Sequence, residues 1–101
     1  MMRIILALVV AVAALPASAQ SEKEETCRLQ AEVVVAVQQA RLDRVRERRV
    51  QAKILEGNPT WPENYNNMIP VITPWVYEMP MKQVRENNLG EVWNAACLSQ
   101  P

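Results

Sequence analysis

Between Ser21 and Gly57 the chain contains neither proline nor glycine, and this uninterrupted stretch constrains the fold more than any other feature. Ser21-Glu22-Lys23-Glu24 has the form of a capping box, in which the serine oxygen accepts from an early amide while Glu24 reaches back. Glu22, Glu24 and Glu25 also suit the positive end of a helix dipole. Residues 22 to about 55 therefore read as helix. Cys27, Ala31, Val34, Val35, Gln38, Leu42 and Val45 recur at steps of three and four, the stripe of an amphipathic helix. Val33-Val34-Val35 is β-branched and suits a strand, but the length of the segment and its polar flanks favour helix. The stripe blurs between Leu42 and Val50, so two arrangements remain open. One is a single long helix. The other is a pair, about 22–42 and 46–56, broken near Asp43-Arg44-Val45 so that the second folds back.

Gly57-Asn58-Pro59 ends the helical stretch with a terminal glycine followed by a proline. Thr60-Trp61-Pro62-Glu63 restarts it, with threonine as cap, proline in the first turn and glutamate after it. Pro70, Pro74 and Pro80 divide the C-terminal part of the chain into short pieces, since each removes an amide donor and crowds the preceding turn. The expected elements are 61–69, a kinked or second helix at 70–78, and 80–87 opening at Pro80. Asn88-Leu89-Gly90-Glu91 caps a last helix at about 89–98. The fold class is all-α, a small bundle of about five helices.

The N-terminus bears on compartment. Met1-Met2-Arg3 is a short positive start, Ile4 to Leu15 is aliphatic, and Ala17-Ser18-Ala19 is a small-x-small cleavage site. The aliphatic run of about twelve residues falls short of a bilayer span, so residues 1–19 read as a removed signal peptide rather than a stable membrane anchor. No cysteine stands at the cleavage point for lipid attachment. Residues 20–101 then form a single helical domain, periplasmic or secreted. A domain this small has marginal stability without a staple. Cys27 and Cys97 are the only cysteines, and in an oxidising compartment they allow one connectivity, joining the terminal helices. A bridge closing a loop of about 70 residues stabilises by roughly 4 kcal/mol on the chain-entropy model.

Composition excludes several chemistries. The sequence has no histidine, which removes a Ser-His-Asp triad, a Cys-His pair, an imidazole metal site and a histidine pH switch. The two cysteines are too far apart for a C-x-x-C redox pair or haem attachment. Glu32, Glu63, Glu78 and Glu91 offer carboxylates for hydrolysis, but nothing in the sequence fixes their separation. No catalytic residue, metal or cofactor is expected. Loss of residues 1–19 leaves ten Lys and Arg against eleven Asp and Glu. That near-neutrality argues against a nucleic-acid or general membrane-surface role.

The strongest charge feature lies between residues 41 and 53. Arg41, Arg44, Arg46, Arg48, Arg49 and Lys53 stand against Asp43 and Glu47, net +4. These six are the candidate partner-binding residues. The alternative is a solvated face whose arginines pair with acids nearby or elsewhere. Trp61, Trp75 and Trp93, with Tyr65 and Tyr77, are the only aromatics. The tryptophans are expected to form the core, each burying a large area. The other reading is a ligand groove walled by Trp61, Trp75 and Tyr77.

Cys27, a helix carrying Ala40-Arg41, then Trp61-Pro62, Val76-Tyr77 and a closing Trp93-x3-Cys97 resemble short exported bacterial helical proteins of unassigned activity. In size and single-disulfide helical make-up the chain is also similar to periplasmic immunity proteins that block cell-wall-cutting toxins and to periplasmic acid-stress chaperones. The resemblance implies an interaction protein whose partner is another envelope or secreted protein. It carries over no functional residue.

Overall fold

A computed structural model describes residues 17–101; the aliphatic run of the expected signal peptide lies outside the described residues. Five α-helices follow one another: α1 Ala17–Leu42, α2 Val50–Glu56, α3 Ile69–Glu78, α4 Met81–Glu86 and α5 Leu89–Leu98. Short 3-10 turns, Glu47–Arg49 and Glu63–Met68, lead into α2 and α3. There is no strand among the described residues. The helix α1 is the spine, and each of the other four packs on it. The broadest contact is with α5, which runs antiparallel to α1 and is joined to it by the Cys27–Cys97 disulfide. The expected all-α, five-helix bundle with linked terminal helices is the observed one.

The first long segment is two helices, and the break is made without a glycine or proline. Val45 N–H bonds the Ala40 carbonyl at 2.9 Å and Arg44 N–H bonds the Arg41 carbonyl at 3.1 Å. Arg44 has φ 62°. These are the paired bonds and left-handed residue of a Schellman stop, with arginine where glycine is usual. The second left-handed residue is Asn58, φ 50°, at the end of α2. Gly57, expected to end that helix through its conformational freedom, has φ −79°. Asn58 makes the turn instead, an αL role that asparagine tolerates.

Two expected caps are not formed. Ser21 lies inside α1, because Ala17 to Gln20 continue the helical ladder past it. Thr60 does not cap: Pro62 is extended at φ −57°, ψ 141°, and the chain first tightens into a 3-10 turn at Glu63. Thr60 is thus too far upstream to reach the first free amides. By contrast Asn88 caps α5 as expected, its side-chain oxygen accepting from Glu91 N–H at 3.1 Å. Pro74 sits within α3, one residue after Thr73. The buried Thr73 hydroxyl donates back to the Ile69 carbonyl at 2.6 Å, so its own polar group is satisfied.

The core is aliphatic rather than aromatic. Val33, Val34, Val37 and Ala40 of α1 are buried against Ile69, Ile72 and Val76 of α3. Val50, Val84 and Leu89 close the ends. Trp61 is buried, but Trp75 and Trp93 are only partly so and pack on the outside of the cluster. The expectation of a tryptophan core is corrected accordingly. The helical face is also turned from the expected stripe: Val33 and Val37 point in, and Val35 is 49% exposed. Three consecutive valines let either flank of Val34 face inward, and the packing of α3 and α4 decides which does.

Gln38, expected within the apolar stripe, has a polar role. Its side-chain amide donates to the Val84 and Asn87 carbonyls, both at 2.7 Å, and its oxygen accepts from Leu89 N–H at 3.3 Å. One side chain thereby satisfies the end of α4 and the start of α5 together. Gly90 allows the close approach beside it. A Cβ at that position would fall 2.6 Å from Val35 Cγ2 and 3.3 Å from the Ala31 carbonyl oxygen.

Candidate functional site

The break after α1 places the cationic segment at one end of the bundle. Arg44 occupies the left-handed turn, Arg46 is extended, Arg48 and Arg49 lie on the following 3-10 turn, and Lys53 is on α2. All five are exposed. None has an acidic group within ion-pair distance among the described residues, where the ion pairs are Arg28 with Glu25 at 2.6 Å and with Glu32 at 2.8 Å. Asp43 instead accepts from the Gln39 amide at 3.0 Å. These cations form the solvated face that the alternative reading expects, but without the acid pairing it expects among the described residues.

Arg41 stands apart from the other five. It is half-buried, its guanidinium carbon 4.9 Å from the centroid of the Tyr77 ring, and its Nε is buried without a hydrogen-bond partner. The Tyr77 hydroxyl donates to the carbonyl of Val45, the last residue of the Schellman stop. Burial is the main cause that raises the Tyr77 phenol above its ordinary value; the nearby Arg41 charge opposes this and Glu47 adds to it. Arg41 and Tyr77 thus brace the α1 break against α3. The sequence pattern groups Arg41 with the docking cations, and its place over Tyr77 sets it apart from the five exposed ones.

Beside the cations lies a groove of about 820 Å³ along α1, open to solvent. Its floor is Ala31, Val35, Ala36 and Ala40, with Gly90 and Glu91 of α5 on one side and Ile54 and Trp61 on the other. The expected aromatic groove of Trp61, Trp75 and Tyr77 is not formed. Trp61 lines this groove and donates through its indole N–H to Asn66 at 2.7 Å. Trp75 stacks edge-on against Trp93, centroids 5.4 Å apart, and Trp93 donates to Gln30 at 3.0 Å. Tyr77 is held at the break. A smaller hollow of about 330 Å³ lies among Val45, Arg46, Arg49, Lys53 and Glu56.

Of the four candidate carboxylates, Glu32 and Glu91 border the same groove and Glu32 is tied to Arg28. Glu63 and Glu78 are exposed elsewhere and line neither hollow. Among the described residues no group of three or more acidic or cysteine side chains is placed to hold a metal ion. No described helix is long and apolar enough to cross a membrane. No family model, curated protein or solved structure matches this chain.

Proposed function

We propose that this is an exported protein, periplasmic or secreted, which acts by binding an acidic partner protein of the cell envelope or its surroundings. The observation that carries the reading is the set of five exposed cations, Arg44, Arg46, Arg48, Arg49 and Lys53, left without acidic partners at the end of α1. Folding gains little from such residues, since even paired surface charges are worth only about 0–1 kcal/mol. Clustered charge of one sign does act on association, by steering an oppositely charged partner into contact. The aliphatic N-terminal run with its small-x-small site supports export, and a disulfide linking the terminal helices suits an oxidising compartment. Inhibitor and immunity proteins belong to this class of action.

The test is charge reversal on the mature protein. Arg44→Glu with Arg48→Glu should leave the melting temperature within a few degrees, because neither side chain packs on the core. Capture of the envelope partner should weaken, chiefly through a slower association rate, and the deficit should shrink as salt is added. Unchanged capture at low ionic strength would sink the docking reading.

A further inference from the structure

We propose that the groove along α1 seats an amphipathic helix of that acidic partner, with the acidic end of the helix lying over Lys53, Arg46 and Arg49. This deepens the docking reading above and rests on it. From Arg28 the groove follows α1 to its end at Leu42 and the next residue, Asp43, about 22 Å at the helical rise, which matches a partner helix of about four turns.

The chemistry of the floor selects the shape of the occupant. Ala31, Ala36 and Ala40 are short, so a second helix can approach closely, and Val35 stands half exposed between them. Backbone groups within α1 are spent on its own ladder, so an extended peptide finds no edge to pair with. An occupant must arrive with its backbone already satisfied and offer apolar side chains at i, i+3, i+4 and i+7.

Charge selects the ends. Val45 and Lys53 line both the groove and the neighbouring hollow, where Arg46 and Arg49 also lie. Asp43, Glu47 and Glu56 stand at this end too, but Arg44, Arg46, Arg48, Arg49 and Lys53 outnumber them, whereas Glu32 and Glu91 border the groove farther along. A complementary helix therefore carries its acidic residues where its apolar stripe meets the cations. A second copy of this chain fits poorly. Its one described helix of sufficient length, α1, has Val33, Val34 and Val37 buried in its own core and a basic segment at its end.

The experiment titrates isotope-labelled mature protein with an 18-residue helical peptide bearing a leucine stripe and three glutamates in its last turn, at low salt, and reads amide shifts. The expected result is movement at Ala31, Val35, Ala36 and Ala40 together with Lys53. Val35→Glu, which places a charge on the floor at an exposed position, should weaken binding about tenfold or more without a large change in melting temperature. Replacing the three glutamates by lysine should weaken it similarly. Shifts confined to residues 44–53, with Val35→Glu binding normally, overturn the groove and leave the cationic docking site standing. Groove shifts that depend on protein concentration alone assign the surface to self-association and also overturn it. Absence of shifts in both regions removes the groove proposal, and the docking reading then stands or falls on the charge-reversal capture assay.

Discussion

At the scale of single residues, two polar side chains hold more than their neighbours do. Gln38 answers three backbone groups at the α4–α5 junction, so Gln38→Leu leaves two carbonyls and one amide without partners. The expected cost is about 1–3 kcal/mol, read as a lower urea midpoint with unchanged slope. The slope matters, because it separates a local loss from a change in compactness. Tyr77 offers a different signature. Its phenol is raised above its ordinary value, mainly by burial, so the folded state favours the protonated form. A raised group contributes stability below its unfolded value and loses it as pH climbs through the folded one. The tyrosine contribution is thus complete at neutral pH and disappears above about pH 10. Tyr77→Phe should cost about 1 kcal/mol at pH 7, through the lost bond to Val45, and should flatten the alkaline limb of the stability profile. An alkaline limb identical to that of the unsubstituted protein would assign the loss to other groups.

Among the helices and turns, the stop after α1 makes the sharpest prediction. Arg44 holds a left-handed conformation that glycine adopts freely, so Arg44→Gly should stabilise the domain by about 0.5–1 kcal/mol while removing one docking cation. Thermal melting and partner capture should therefore move in opposite directions. This stop also shows where the sequence was legible and where it was not. The last helix could be placed at 89–98 because Asn88 caps through its own side chain, a local bond that needs no distant contact. The all-α class followed from the long proline- and glycine-free stretch and the prolines after it, but the division did not. The first segment splits without either residue, and the expected 61–69 helix is only a 3-10 turn at Glu63–Met68. The break at Asp43 to Val45 was open from the pattern, because its stop is built from backbone bonds by an arginine and is fixed by Tyr77 from thirty-two residues away. The choice of Val33 and Val37 over Val35 was likewise tertiary. The cationic cluster could be read directly, but its lack of partners could not. The groove beside it was invisible, because α1, α2 and α5 form it jointly.

For the molecule as a whole, the disulfide sets how force travels. Cys27 and Cys97 join the first and last helices, and the exposed cations begin at Arg44, beyond the other end of α1 and seventeen residues from Cys27. A pull applied to the termini is carried across a single covalent bond and never enters the bundle. In a tweezers measurement with handles at Gln20 and Pro101, only the few residues outside the loop should extend, to a contour of roughly 40 Å in all. Adding a reductant should release about 230 Å more, from the 70 residues the bridge spans. A large extension before reduction would show that the bridge is not formed within one chain. With the molecule pulled between its two termini, the docking end would keep its shape, and its grip on a partner would be insensitive to that load until the bond is reduced.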